Sequence, residues 1–270
     1  WSRNETVNSY KEIYHPTVRS IFKFMNIKKG LEVHYQGDLQ KNSGLGTSSS
    51  FCVGLFNTLY NLQNKKISPK KLSLNAIHVE QKMLNENCGS QDQIWASYGG
   101  FNMIKFNKNG TFEVNRIRKS KKSLNNLDQN MFLVYTGLNR FSNNIEKDKI
   151  KNLDRNINNL DKIKEITNSF IKQINSNLTI ELCGTLMNDY WEIKKRLSTK
   201  VSNPFINELY KEGLNNGAIG GKVIGSGGGG FLLFCCKKSK QKKFLNGFKK
   251  LPIIRFNFTN SGSEIIFRNS

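Results

Sequence analysis

The chain has 270 residues, enough to bury one large core or two smaller ones, which excludes a short peptide motif or a stapled mini-domain. It is 37% hydrophobic, no apolar stretch nears the ~20 residues that cross a bilayer, and its five cysteines (Cys52, Cys88, Cys183, Cys235, Cys236) form no CxxC pair. We therefore expect buried thiols, no membrane partner and a cytoplasmic location. The formal charge of +22 is spread along the chain among Asn and Ile, so it points to solvated faces and attraction for phosphorylated small molecules, and no nucleic-acid partner is expected.

The chain begins at Trp1, as a fragment or processed product would. The alternation of Leu31 to Gly37 predicts a strand, and a helix is expected over Gly46 to Leu62 after a Gly/Ser-rich turn. Ser68 and Pro69 have the chemistry of an N-cap and first helical residue, opening a helix that runs to about Leu84. Phe101–Phe106 and Thr111–Ile117 flank Asn107 to Gly110 as a hairpin would, and Asn130 to Thr136 predicts a buried strand. From Ser142 to Glu192 the pattern is helical, with Ile157, Leu160, Ile163, Ile166, Phe170 and Ile174 on one face. Then come a helix over Pro204 to Asn215, strands Ala218–Ile224 and Phe231–Cys236, a helix Lys240–Lys249, and strands near Ile253–Phe258 and Ser263–Phe267. This is an α+β chain with antiparallel pairing. The basic stretch Arg116 to Asn126 is the expected junction, dividing domains 1–125 and 126–270.

Three constellations carry chemistry. Asn42 to Ser50 (Asn-Ser-Gly-Leu-Gly-Thr-Ser-Ser-Ser) lies where a helix begins, with unpaired N–H groups and two glycines that let backbone approach an anion. It lacks the lysine of a Walker A loop, so Thr47 and Ser48 must supply side-chain contacts; a Gly/Ser turn that only caps the helix is the other reading. Gly225-Ser-Gly-Gly-Gly-Gly230 satisfies GxGxxG, yet a strand follows it and the dinucleotide fingerprint must open a helix. Either bare backbone there meets an anion, or it is a tight β-turn. Glu80 and the loop Asn87 to Gln93, carrying Asp92, offer two carboxylates that could converge on a metal ion and a reacting hydroxyl, or simply face solvent.

These segments, with Tyr98-Gly-Gly-Phe-Asn102, Tyr135-Thr-Gly-Leu-Asn-Arg140 and Gly220 to Phe231, resemble the GHMP kinase superfamily in order and spacing. Within it, they are most similar to the heptose 7-phosphate kinase branch, over about Ile13 to Arg268. The resemblance implies a two-domain architecture: an incomplete ribosomal S5-like N-terminal part and a ferredoxin-like C-terminal domain. It implies an ATP- and Mg²⁺-dependent sugar kinase converting D-glycero-D-manno-heptose 7-phosphate to the 1,7-bisphosphate for nucleotide-sugar and surface-polysaccharide synthesis. Another sugar 1-kinase, fucokinase- or galactokinase-like, or a catalytically impaired nucleotide-binding fragment, is the alternative; a homo-oligomer is compatible with either.

By the same resemblance Gly44, Leu45, Gly46, Thr47, Ser48, Ser49, Gly227, Gly228 and Gly229 would bind ATP phosphates. Ser48 and Glu80 would hold Mg²⁺, Asp92 would orient or deprotonate the acceptor hydroxyl, and Arg140, Gly225 and Ser226 would contact the substrate. The family's first motif, Pro-x-Arg followed by Gly-Gly-Gly-Thr-Asp, has no match, and Thr47 stands where this branch has a small residue.

Overall fold

The computed structural model describes residues 4–28, 30–39, 43–118, 121–139, 142–175 and 178–268, without the side chains of 121–123, 125 and 175. The chain divides into two compact units, one of residues 1–41, 46–100 and 260–270, the other of 42–45 and 101–259. Packing thus parts the chain at Gly100/Phe101, upstream of the basic stretch, because the β-hairpin goes with the later elements.

In the first unit, α1 (Pro16–Met25) starts with Pro at its first position and ends on Asn26 in the left-handed region, φ 52°. Helix α2 (Thr47–Leu62) buries Cys52, Val53, Leu55, Phe56 and Leu59, the stripe expected of a helix packed on one side. Helix α3 (Pro69–His78) opens as its sequence predicts, Ser68 Oγ accepting from Lys71 N at 3.3 Å. It continues into a π-helical turn, Val79–Met83, closed by Leu84 N donating to Val79 O at 2.9 Å. Such turns widen a helix by one residue and rotate the side chains beyond them. Helix α4 (Gln91–Tyr98) comes next. The core of this unit joins Ile21, Phe22, Val53, Phe56, Leu59, Ala76 and Val79.

In the second unit, β1 (Asn102–Phe106) and β2 (Phe112–Arg116) form the expected hairpin. After α5 (Lys121–Asp128), β3 (Met131–Tyr135) is interior to a four-stranded antiparallel sheet and buried from Met131 to Val134. Helices α6 (Ser142–Lys151), α7 (Ile157–Asn175), α8 (Ile180–Lys194) and α9 (Pro204–Asn215) come next. The sheet is completed by β4 (Ala218–Val223), β5 (Phe231–Cys236) and, after α10 (Gln241–Gly247), β6 (Ile253–Ile254), in the order β4-β5-β3-β6. Trp191, Ile206, Tyr210, Phe132, Phe234, Phe244 and Phe248 form its main core. Gly220 lets α8 lie against β4: a Cβ there would stand 2.1 Å from Gly184 O, so this glycine serves packing.

The α+β class and antiparallel pairing are as expected, and four of the five cysteines are buried. Three predicted strands are corrected. Residues 31–37 are exposed and pair with no strand among the described residues; alternation alone makes no strand without a ladder partner. The strand near Ile253–Phe258 shrinks to β6, which meets β3 at only two residues. Residues 263–267 form none: Ser263 N donates to Ala96 O at 2.8 Å, and Asn57 Nδ2 donates to Ser263 O at 3.0 Å, so helices take its hydrogen bonds. The apolar face predicted for α7 is buried only towards its end, at Ile174, while Ile157 and Leu160 are exposed. Among the described residues no helix is long and apolar enough to cross a membrane.

Candidate active site

In the first unit, α2 begins at Gly46, whose φ of 68° is cheap only for glycine, and no side chain caps the helix. Ser50 N is the first amide bonded back, to Gly46 O at 2.9 Å. The amides of Thr47, Ser48 and Ser49 therefore lie in a first turn that has no intrahelical acceptor, at the positive end of the helix dipole. Ser48 is exposed and Ser49 buried.

Both hydroxyls turn to one carboxylate. Ser48 Oγ donates to Glu80 Oε1 at 3.3 Å, Ser49 Oγ to Glu80 Oε2 at 2.8 Å, and the Gln93 amide donates to the same Oε2. Glu80 is 1% exposed, placed there by the π-helical turn. Its burial pushes the carboxyl above the usual carboxylate range; the hydrogen bonds from Gln93, Ser49 and Ser48 pull it back in part, and the Asp92 charge adds to the rise. Burial and the Glu80 charge also raise Glu86, and push the Cys88 thiol up to about 12, so that thiol is inert. Asp92, exposed in the first turn of α4, passes so close to Gly46 that a Cβ there would lie 3.2 Å from its Cγ and Oδ2. Gly46, Ser48, Ser49, Glu80 and Asp92 thus form one group.

A Mg²⁺ ion at Ser48 and Glu80 is a chemically fitting guest. The donors are hard oxygens, one carboxylate and one hydroxyl, and Mg²⁺ characteristically takes one or two carboxylates and completes its shell with phosphate and water. No cluster of three or more His, Cys, Asp or Glu arranged for a metal exists among the described residues, and the buried Gln93 Oε1 has no hydrogen-bond partner.

In the second unit, the turn between β4 and β5 has positive φ at Gly225, Gly227, Gly228, Gly229 and Gly230. It is pinned by backbone. Gly228 N donates to Val201 O at 2.7 Å, Gly230 N to Leu138 O at 3.0 Å, and Thr136 N to Gly230 O at 2.9 Å. A Cβ on Gly230 would stand 2.1 Å from Ser43 O, and one on Gly229 2.7 Å from Leu138 O. Gly44 (φ 88°) and Leu45 belong with this unit. Ser43 Oγ and Ser226 Oγ are buried and without a hydrogen-bond partner. Arg140 lies outside the described residues.

Two residues escape sequence reasoning. Gln93 sits beside Asp92, and only the helical turn reveals that it faces Glu80. Lys194 closes the buried stripe of α8 (Ile180, Cys183, Gly184, Trp191) at helical spacing, a charge on an apolar face that could have been noticed.

Comparison with known proteins bears on both units. The sequence model described as GHMP kinases N terminal domain matches residues 11–100, and that described as GHMP kinases C terminal matches 171–253. The chain is 29% identical over 258 residues to D-glycero-alpha-D-manno-heptose 7-phosphate kinase of Campylobacter jejuni, covering 94% of this chain and 75% of that protein. Its fold is similar to that of a D-glycero-D-manno-heptose 1-phosphate kinase from Bacteroides thetaiotaomicron, with a TM-score of 0.73 at 22% identity over 92% of this chain and 71% of that one. It is also similar to Methanococcus jannaschii mevalonate kinase, with a TM-score of 0.69 at 22% identity over 91% and 74%.

Proposed function

Because the chain belongs to the GHMP kinase family and is thereby an ATP-dependent small-molecule kinase, we propose that it phosphorylates a sugar phosphate. The acceptor is D-glycero-D-manno-heptose 7-phosphate, whose anomeric hydroxyl takes the γ-phosphoryl group to give the 1,7-bisphosphate. The identity to the Campylobacter jejuni enzyme supports this choice of acceptor. The observation that carries the chemistry is the buried Glu80 carboxylate, held by Ser48, Ser49 and Gln93 beside the first turn of α2.

Phosphoryl transfer asks mainly for in-line placement and for neutralisation of charge spreading over the phosphoryl oxygens. The first-turn amides of Thr47, Ser48 and Ser49, with Gly44, Leu45 and Gly46, are assigned to ATP phosphate. Gly227, Gly228 and Gly229 are given the same ligand chemistry, and Gly225, Ser226 and Arg140 the acceptor. Ser48 Oγ and Glu80 would hold Mg²⁺, which supplies positive charge to the phosphates when bound. Asp92 Oδ orients the acceptor hydroxyl; as its oxygen bonds to the γ-phosphorus and the bond to the bridging oxygen of ADP breaks, the proton passes to Asp92. That transfer comes late in a loose transition state, so Asp92 need not be a strong base.

The test is turnover with ATP and Mg²⁺ across heptose 7-phosphate, other sugar phosphates and free sugars, the product's phosphorylated position being read by ³¹P NMR. The highest kcat/KM should fall on the heptose phosphate, with the new phosphate at the anomeric carbon. Preference for free galactose or fucose would make it another sugar 1-kinase. ATP binding without turnover of any acceptor would leave a nucleotide-binding protein.

A further inference from the structure

Lys194 ends α8 and is only 4% exposed. Its Nζ donates to Val223 O at 3.1 Å and to Gly225 O at 2.5 Å, and lies 5.8 Å from the centre of the Tyr190 ring. A buried ammonium is costly unless oriented dipoles replace its water. Here two carbonyls, an aromatic face and the negative end of α8 do so. That cost is incurred at two carbonyls, Val223 and Gly225, where β4 gives way to the glycine turn.

The geometry of a peptide bond turns this contact into a directional one. No peptide among the described residues is cis, so the Gly225 carbonyl and the Ser226 N–H lie in one rigid plane and point in opposite directions within it. An ammonium on the carbonyl fixes which way the N–H faces, and its charge polarises the peptide and strengthens that donor. Among the described residues the Ser226 N–H makes no hydrogen bond within the protein, unlike Gly228 and Gly230, whose amides are used on Val201 and Leu138. The Ser226 and Ser43 hydroxyls are also buried without partners in this unit.

We propose that Lys194 is a positioning residue for phosphoryl transfer: through the Gly225–Ser226 peptide it presents the Ser226 N–H to an anionic phosphate oxygen. The inference rests on the kinase reading above and adds a residue and a donor to it. The phosphate belongs either to the nucleotide or to the sugar phosphate.

Steady-state kinetics of the full chain test it. Lys194→Met should lower kcat roughly 30-fold, with KM for ATP and acceptor changed less than about threefold, since a donor aimed at developing charge acts on the transition state. Lys194→Arg, which keeps the charge, should stay within about tenfold of wild type. A Lys194→Met enzyme whose kcat stays within about threefold of wild type sinks the inference while leaving the kinase reading intact. A wild type that turns over no acceptor sinks both. Should Lys194→Met fail to fold, the wild-type amide spectrum decides. The Ser226 ¹H–¹⁵N resonance should shift on adding either a non-hydrolysable ATP analogue with Mg²⁺ or heptose 7-phosphate alone, the responding arm naming the phosphate. A resonance unmoved by both overturns the proposal.

Discussion

The two glycine turns reach bare backbone by opposite means. At Gly46 the surroundings are side chains: Asp92 lies against the glycine, and the next turn of helix offers Ser48 and Ser49 to a buried anion, Glu80. At Gly225 to Gly230 the closest surroundings are mostly main chain, the carbonyls of Ser43, Leu138, Lys200 and Val201, with the Ile145 side chain against Gly228 and a buried Lys194 on Gly225. Side chains can give way or titrate; a carbonyl in a packed turn can do neither. The first turn is therefore tunable and the second a rigid fixture.

The largest effect should come from Asp92, the side chain proposed to meet the acceptor hydroxyl. Asp92→Asn keeps the size of the group and removes its capacity to take a proton, so kcat should fall roughly 10³-fold with the fold intact. The measurement is ADP release with heptose 7-phosphate, alongside thermal unfolding. Equal turnover by mutant and wild type would remove Asp92 from the mechanism and reduce its contact with Gly46 to packing.

Alanine at each turn sharpens the contrast. Gly230→Ala puts a Cβ 2.1 Å from Ser43 O at a φ of 78°, a clash with backbone added to left-handed strain, and should cost about 3 kcal/mol of stability. Gly46→Ala meets only the Asp92 side chain, at 3.2 Å, and should cost about 1 kcal/mol while displacing Asp92 and lowering kcat. Denaturant unfolding of both variants tests this; equal losses would mean that the turns do not differ in rigidity.

Much of this is legible in the sequence, for local reasons. Helices α2 and α3 announce themselves through the Gly/Ser-rich turn at Gly46 and through Ser68-Pro69, signals confined to a few residues; Ser68 Oγ accepts from Lys71 N at 3.3 Å. The strands β3 and β5 are implied by uninterrupted apolar runs. The failures depend on partners distant in the chain. Residues 31–37 alternate without a ladder, and Ser263 looks like a strand residue but is held by Ala96 and Asn57. In the site, glycines and carboxylates are visible as residue types, whereas Gln93 becomes a donor to Glu80 only because α4 turns it inward. Lys194 stands out only as a charge on the apolar stripe of α8; its carbonyl partners, distant in the chain, are not legible.

The smallest expected effect isolates the anion of the first turn. Burial raises Glu80, so the folded protein holds that proton more tightly than the unfolded chain does. The stability this contributes is complete below the ordinary carboxylate range and is lost as pH rises through the raised value. Glu80→Gln cannot titrate, so its stability relative to wild type should improve with pH, by about 1 kcal/mol or ~2 °C in Tm, whatever fixed amount the altered hydrogen bonds to Ser48 and Ser49 contribute. Glu86, raised partly by Glu80, should move in the same direction. Thermal melts of both proteins from pH 4 to 8 measure the slope. Added ATP and Mg²⁺ should offset the wild type's loss at high pH and give no such pH-dependent gain to Glu80→Gln, because only the ionised carboxylate gains from a cation. Parallel melting curves across that range would mean that Glu80 is ionised at no cost, and the contrast between a titrating turn and a fixed one would then lose its basis.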